Sequence, residues 1–227
     1  MDRLERLWWR GVGFGFRLLY NEMAFTYDTV SAFVSLGVWR CWVRTALAHL
    51  EGESPVLELA HGTGNLQIDM HEAGYRAIGY DLSAGMGRIA QAKLARQGID
   101  ARLTRGRAQQ LPFASGSMAA VVSTFPTDFI GKRETINEVY RVLKPGGVFV
   151  IVPNAQLTGG DVSVKGLEWL YRITGQRGSG SDETAIDQTA FVKLFAPFEV
   201  KVVAERCPRS VVTVIVARKS PEIAKML

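Results

Sequence analysis

From Pro55 onward, short apolar runs alternate with longer amphipathic segments, and this alternation constrains the fold more than any other feature of the sequence. The runs with the length and composition of strands are residues 56–60, 76–81, 100–105, 118–124 and 148–153. The segments between them predict helices over 65–73, 84–97 and 133–143. Continuous apolar strands separated by helices are typical of parallel strands that are covered on both faces. The sequence therefore predicts a doubly wound α/β sheet.

The C-terminal end of the chain departs from this alternation. Two further strand-like runs, 198–205 and 211–218, are separated by a short connection that contains Pro208. A connection this short cannot hold a crossover helix, so the two strands should pair in antiparallel fashion. We expect a mostly parallel seven-stranded sheet that ends in an antiparallel hairpin.

Residues 1–53 lack the alternation, and their apolar clusters are too dense for a single helical stripe. We interpret them as an N-terminal helical cap, and residues 54–227 as the α/β domain. Within that domain, residues 154–187 are not needed to complete the sheet and contain an apolar helical piece followed by a glycine- and serine-rich run. They are either a lid at the ligand-binding edge of the sheet or a surface insertion without a role.

The composition, 47% hydrophobic and 22% charged, excludes disorder and a disulfide scaffold. Cys41 and Cys207 lie far apart in the sequence, so they fit neither a metal knuckle nor a redox pair, and we expect them in a reducing compartment. Charges interrupt the most apolar N-terminal stretch, which argues against a transmembrane helix and against a signal peptide. We therefore expect a cytoplasmic protein without a metal site.

The net charge of +5 is unevenly distributed. Residues 83–110 carry a single acid, Asp100, and the six basic residues Arg88, Lys93, Arg96, Arg102, Arg105 and Arg107. This segment is either a solvated helix face or a surface for a polyanion or an anionic membrane.

The strongest local signal is the segment VLELAHGTGN at residues 56–65. Gly62 and Gly64 allow a tight turn and a close approach of the backbone to a ligand. The next strand ends in Asp81, whose carboxylate can accept hydrogen bonds from a ribose diol. Gln67 occupies the place of the third small residue of a dinucleotide loop, which disfavours a dinucleotide. The pattern indicates an adenosine-type site at the edge of the sheet.

These residues resemble the class I S-adenosylmethionine-dependent methyltransferases, which have a Rossmann-like sheet. Glu58 with HGTGN resembles the first motif of that family and GYDLSAGM the second. GRAQQLPFASGSMAAVVSTF resembles the adenine loop and fourth strand, and VLKPGGVFVIV the entry to the fifth strand. The resemblance covers residues 54–153 and implies that S-adenosylmethionine is the cofactor.

The resemblance also implies roles for individual residues. Glu58 would order the loop and contact the methionine ammonium group of the cofactor, Gly62 and Gly64 would underlie the methionine moiety, and Asp81 would bind the ribose. The remaining cofactor-binding residues are Leu82 and Met86 on the adenine faces, Ala108 at the ring, and Thr124 and Phe125 beside the transferred methyl group.

Three positions depart from the family pattern. Ala60 stands in place of the first glycine, His61 in place of a frequent cysteine, and Arg107 in place of an acid that accepts from the adenine amino group. Because a guanidinium has no acceptor, Gln109 could supply an amide oxygen there instead.

The segment from Tyr20 to Arg44 resembles the opening of quinone-ring C-methyltransferases of the ubiquinone and menaquinone pathways. The matching pieces are Tyr27-Asp28, Ser35-Leu36-Gly37 and Trp39-Arg40. Bacterial phospholipid N-methyltransferases have a similar opening, so a phospholipid amine is the alternative acceptor. The aromatic and basic residues before Asn21 are either an interfacial helix on anionic lipid or a cap over the cleft. Both readings predict a small hydrophobic acceptor and allow peripheral contact with the inner face of a membrane.

Methylation of a phenol or enol requires removal of a proton, for which His61 and Tyr27 are the candidate bases. The fold also serves RNA methyltransferases and non-catalytic S-adenosylmethionine-binding proteins. The fourth strand ends in STFPTD rather than in the NPPY-like tetrapeptide of amino-base methyltransferases. A nucleic acid is therefore a less favoured partner than a small molecule.

Overall fold

A computed structural model describes residues 27–52, 54–158 and 194–221 of the chain. Seven strands form one sheet: β1 Val56–Leu59, β2 Ala77–Asp81, β3 Leu103–Arg105, β4 Met118–Thr124, β5 Leu143–Leu157, β6 Phe198–Cys207 and β7 Ser210–Lys219. Their order is β3-β2-β1-β4-β5-β7-β6, with β1 to β5 parallel and β6 and β7 antiparallel to their neighbours. The predicted doubly wound sheet with a terminal hairpin is confirmed.

Within the described residues, two helices precede the first strand along the chain, and three further helices lie between the strands and cover the sheet. They are α1 Tyr27–Val34, α2 Trp39–Arg44, α3 Asn65–Glu72, α4 Ala84–Arg96 and α5 Arg133–Val142, with 3₁₀ turns at Thr45–His49 and Asp128–Gly131. The predicted helices 65–73, 84–97 and 133–143 agree with α3, α4 and α5 to within one residue. Ser83 caps α4, since its hydroxyl oxygen accepts from the Met86 N–H at 3.1 Å.

The sheet is buried on both faces, as expected for parallel strands. Leu57 of β1 and Val121 of β4 belong to one core cluster, and Val56 and Val122 belong to the other. Trp42 of α2 packs into the second cluster. The cap is therefore part of the core on one side of the sheet.

Strand β5 is longer at both ends than the predicted 148–153. Residues 154–157 pair with β7, from Asn154 opposite Thr213 to Leu157 opposite Ser210. Because this pairing depends on a distant strand, local apolarity does not reveal it. The first four residues of the predicted insertion 154–187 thus belong to the sheet, and residues 159–187 lie outside the described residues.

The two cysteines form a disulfide, whereas their sequence separation led us to expect them in a reducing compartment. Cys41 of α2 and Cys207 of β6 are separated by 166 residues, yet their Cα atoms are 6.1 Å apart. The Trp42 indole N–H donates to the Ser210 hydroxyl beside them at 2.7 Å. The sequence separation of the cysteines did not indicate their distance in space, because the cap packs on the hairpin. The cysteines therefore no longer support a reducing compartment.

Among the helices of the described residues, none has the length and apolar character needed to cross a bilayer. The aromatic and basic residues before Asn21, on which the interfacial-helix interpretation rests, lie outside the described residues.

Candidate cofactor and acceptor site

The glycine loop follows β1 at the edge of the sheet where the strand order reverses between β1 and β4. Ala60, Gly62 and Gly64 all have positive φ, at 57°, 53° and 82°. A Cβ on Gly64 would lie 2.9 Å from the Ala90 Cβ, so glycine lets α3 begin against α4. Ala60 carries a Cβ in the left-handed region, at a cost of about 1–2 kcal/mol.

Asp81, at the end of β2, holds this loop. One carboxylate oxygen accepts from the Gly62 N–H at 2.9 Å, and the other accepts from the Ser83 N–H at 2.7 Å. Each carboxylate oxygen has a further lone pair. Asp81 can therefore order the loop and still accept hydrogen bonds from a diol.

Glu58 is a buried carboxyl beneath the loop, with 2% of its surface exposed. Burial raises its pKa to about 8, and the nearby Asp81 and Asp69 carboxylates add to the increase. The Gln67 amide donates to Glu58 at 2.7 Å and partly opposes the shift. Without a bound cation, Glu58 is thus mainly protonated at neutral pH. Gln67 stands in place of the third small residue of a dinucleotide loop, and it is the hydrogen-bond partner of the Glu58 carboxyl.

His61 is buried in the loop, between the Gly62 backbone and β2. Its Nδ1 lies 2.9 Å from the Gly62 carbonyl oxygen, and its ring packs so closely on Gly79 that a Cβ there would lie 2.8 Å from Cδ2. Burial lowers the pKa of His61, although the Asp81 charge opposes this. The imidazole is therefore neutral at physiological pH. The Tyr27 backbone begins α1, but its side chain lies outside the described part of the structure.

A small cavity, open to solvent, lies between the loop and the cap. It is lined by Trp39, Val43, Glu58, Ala60, His61, Gly62, Thr63, Asn65, Leu66 and Thr124. The Trp39 ring packs on Phe125 with centroids 4.4 Å apart. The cap and the end of β4 thus give the cavity an aromatic border.

The predicted adenine-binding residues lie outside the lining of this cavity. Leu82 is exposed at 58%, whereas Met86 is buried in α4. Arg107 is exposed after β3, and Ala108 and Gln109 are half-buried beside it. Leu82 is therefore open to a planar ring, while Met86 belongs to the core.

Asp28 connects the cap to the loop, a role that its place in the YD pair did not predict. One carboxylate oxygen accepts from the Thr63 hydroxyl at 2.6 Å and from the Asn65 amide at 3.0 Å. The other accepts from the Lys93 ammonium at 2.6 Å. These donors hold the pKa of Asp28 below its usual value, although burial acts in the opposite direction. Lys93, counted above among a run of surface charges, is thus part of the site.

The sequence matches known methyltransferases. Residues 56–147 match the family described as a methyltransferase domain. A demethylmenaquinone methyltransferase of Lactiplantibacillus plantarum is 35% identical over 146 residues, 61% of this chain and 62% of that protein. One of Thermus thermophilus is 33% identical over 139 residues, 59% of this chain and 63% of that protein. The matched region thus spans less than two thirds of these relatives.

Solved structures share the fold. A SAM-dependent methyltransferase of Methanosarcina mazei superposes with a TM-score of 0.57 and 21% identity, over 78% of this chain and 98% of that one. The geranyl diphosphate C-methyltransferase of Streptomyces coelicolor gives a TM-score of 0.57 with 16% identity, over 79% and 78%. Residues 56–147 thus match the methyltransferase-domain family, and the described sheet has the fold of these solved methyltransferases.

Proposed function

We propose that this protein transfers a methyl group from S-adenosylmethionine to a hydrophobic, quinone-like ring. The observation that carries the proposal is the shared cavity, in which Trp39 and Val43 of the cap face Glu58 and Thr124 of the α/β domain. A cofactor on the glycine loop would direct its methyl group toward this apolar border. The two relatives above are named as demethylmenaquinone methyltransferases, which supports an acceptor of that class.

The residues around the loop fit the cofactor. Asp81 would accept from the ribose hydroxyls, Leu82 would contact the adenine, and Glu58 would accept from the methionine ammonium group. When bound, S-adenosylmethionine supplies an electrophilic methyl group on a sulfonium. A nearby ammonium group favours the ionised form of Glu58. The bound cofactor would therefore oppose the effect of burial on the pKa of this carboxyl.

The chain contributes positioning and proton removal. The Trp39–Phe125 pair would hold a flat ring and keep water away from it, and orientation supplies much of the rate of an in-line displacement. An enol or phenol acceptor becomes nucleophilic when its proton leaves. We propose His61 as the base, because its lowered pKa keeps the ring neutral. Tyr27 is the alternative base.

The acceptor class can be tested by offering the protein three acceptors and measuring which of them takes up the labelled methyl group. The protein is incubated with radiolabelled S-adenosylmethionine and three acceptors: a short-chain demethylmenaquinol, phosphatidylethanolamine vesicles and total tRNA. We expect label in the quinol alone, with Trp39→Ala lowering the rate at least tenfold. Phe198→Leu, an aromatic substitution remote from the cavity, should leave the rate unchanged. Label in the phospholipid or the RNA would replace the proposed acceptor.

The base is tested by substituting the two candidates in the same reaction. A His61→Asn variant should bind the demethylated cofactor, S-adenosylhomocysteine, as the wild type does, but lose at least a hundredfold in kcat. Rates that are unchanged in His61→Asn and fall only in Tyr27→Phe would transfer the role to Tyr27.

We also propose that the protein works at the surface of a membrane, where a long-chain quinone resides. Apolar side chains on and just after α1 are exposed, with Val30 at 39%, Phe33 at 75% and Leu36 at 40%. Such a surface can insert into the interfacial region of a bilayer.

Vesicle cosedimentation tests this contact. Phe33→Asp should lower the fraction bound to phosphatidylglycerol vesicles several-fold. Val202→Asp is the matched control, because it places the same charge at an apolar side chain that is also largely exposed, at 60%, on β6. Equal binding of both variants and the wild type would show that α1 does not contact the membrane.

A further inference from the structure

The turn that joins the two cap helices contains Ser35, Leu36 and Gly37, a segment with no part in the chemistry proposed above. Ser35 directly follows α1, and its side chain is completely buried. A buried hydroxyl costs free energy unless it is hydrogen-bonded. The hydrogen-bond partners of this hydroxyl therefore indicate what it does.

The Ser35 hydroxyl joins the end of α1 to the start of α2. It donates to the Ala32 carbonyl oxygen at 3.2 Å and accepts from the Trp39 N–H at 2.9 Å. Trp39 is the first residue of α2, and the first N–H groups of a helix have no acceptor within that helix. Val38 stands at the N-cap position of α2 but has no side-chain acceptor. Ser35 supplies that acceptor and so holds the backbone of Trp39.

The backbone of the turn is fixed as well. The Gly37 N–H donates to the Ala32 carbonyl oxygen at 2.7 Å, and the Leu36 N–H donates to the Phe33 carbonyl oxygen at 3.1 Å. These two bonds form a Schellman ending of α1, in which Leu36 and Gly37 have φ values of 53° and 84°. The joint is thus a defined turn that sets the direction in which α2 starts.

Trp39 is the aromatic residue of the cap that lines the cavity, and it is only half-buried. Its ring packs on Phe125 with centroids 4.4 Å apart and on Trp42 with centroids 5.9 Å apart. Trp42 is fixed in turn by its hydrogen bond to Ser210. The side of the Trp39 ring that packs on these rings is therefore well defined, and Ser35 defines the position of its backbone.

We propose that Ser35 is a positioning residue of the acceptor site, which fixes the Trp39 backbone and thereby the orientation of the indole beside the cavity. Aromatic pairs have preferred relative orientations, so a displaced indole would bind a flat acceptor less tightly. The residues proposed to bind the cofactor lie on other elements of the chain, so its affinity should not depend on Ser35. This inference rests on the proposed function for its acceptor, whereas the placement of Trp39 by Ser35 concerns the chain alone.

Two substitutions disturb the joint in different ways. Ser35→Ala removes the acceptor of the Trp39 N–H. Gly37→Ala acts through the backbone, because a Cβ at this positive φ would meet no atom of the described residues within 4 Å. Each variant should raise the KM for the demethylmenaquinol about fivefold, which corresponds to the net effect of one hydrogen bond. The Kd for S-adenosylhomocysteine should change less than twofold.

Each of these variants has a matched control. Ser31→Ala deletes a hydroxyl from another buried serine, one turn earlier on α1. Gly98→Ala adds a methyl group at a φ of 70° in the turn after α4, where a Cβ would also meet no described atom within 4 Å. Both controls should keep the wild-type KM. An unchanged KM in Ser35→Ala and Gly37→Ala, or an equal increase in the controls, would overturn the proposal. So would an equal loss of quinol and cofactor affinity, which indicates a purely structural role.

Fluorine NMR of the full chain labelled with 5-fluorotryptophan tests the placement of the ring without an acceptor. The Trp39 resonance is the one that disappears in Trp39→Phe. It should shift or broaden in Ser35→Ala and Gly37→Ala and stay in place in both controls. Thermal unfolding well above the assay temperature verifies that each variant is folded. An unchanged Trp39 resonance in Ser35→Ala would overturn the proposal.

The two measurements separate this inference from the proposed function. If the Trp39 resonance moves as expected but the wild type methylates no quinol, the proposed function fails and the placement of Trp39 by Ser35 stands. If the quinol is methylated and Ser35→Ala changes neither the resonance nor the KM, the positioning role fails alone. A resonance that moves while the KM stays constant would also overturn that role, because the orientation of Trp39 would then not affect the acceptor.

Discussion

The buried Glu58 predicts that cofactor binding releases a proton. With a pKa of about 8, roughly nine-tenths of the free protein carries a protonated Glu58 at pH 7. The methionine ammonium group favours the carboxylate, so the pKa should fall well below 7 in the complex. Binding of S-adenosylhomocysteine should then release close to one proton. The Kd should also fall about tenfold between pH 6 and pH 7, since one proton must leave for each ligand bound.

Isothermal titration calorimetry in buffers of different ionisation enthalpy measures this proton directly. The observed heat, plotted against the buffer enthalpy, should have a slope that corresponds to about 0.9 proton released at pH 7 in the wild type. Glu58→Gln is the matched control: its amide oxygen can still accept from Gln67, but it has no proton to lose. Tight binding by the wild type with a slope near zero would refute the placement of the ammonium group at Glu58.

The same carboxyl predicts how the stability of the free protein depends on pH. The folded pKa of Glu58 lies above its unfolded value of about 4.5, so its contribution is present below pH 4.5 and is lost as pH rises through 8. Relative to Glu58→Gln, the wild type should lose on the order of 4 kcal/mol between pH 4.5 and pH 8. Urea unfolding of both proteins across that range measures the difference. A constant difference would show that Glu58 is not desolvated.

Three further variants test the site and the cap. Asp81→Ala should weaken S-adenosylhomocysteine binding by about 1–3 kcal/mol in calorimetry, because it removes the ribose acceptor and the Gly62 hydrogen bond; unchanged affinity would exclude Asp81 from the site. Ala60→Gly should raise the free energy of unfolding by about 0.5–1 kcal/mol, as relief of the left-handed strain exceeds the added chain entropy; a destabilised variant would contradict the positive φ. Replacing Cys41 and Cys207 together with serine should lower the free energy of unfolding by about 2–5 kcal/mol, and the unreduced wild type should show no free thiol; a reactive thiol in the native protein would contradict the disulfide.

The sheet could be predicted because its strands are buried on both faces and are therefore apolar along their whole length. Strand β4, Met118–Thr124, has the predicted bounds for this reason. Where a strand depends on a distant partner, the local pattern fails. Residues 154–157 mix polar and apolar side chains, and only pairing with β7 makes them part of β5.

The glycine loop could be predicted from local chemistry, but the side-chain contacts that hold it could not. Gly62 and Gly64 indicate a tight turn because few other residues adopt their φ values. The donors to Asp28, in contrast, lie 35, 37 and 65 residues away along the chain. No spacing rule joins residues at such separations, and the disulfide escaped prediction for the same reason.

The most direct test of the central claim is the structure of the methylated product. Full-length protein is incubated with S-adenosylmethionine that carries a deuterated methyl group and with a short-chain demethylmenaquinol, and the product is examined by mass spectrometry and proton NMR. We predict a single deuterated methyl group on a carbon of the quinone ring, formed by the wild type and formed more slowly by Asp81→Ala at limiting cofactor concentration. A deuterated methyl group on oxygen would contradict this prediction of methylation at a ring carbon. An unmodified quinol in the presence of bound cofactor would contradict the proposed acceptor.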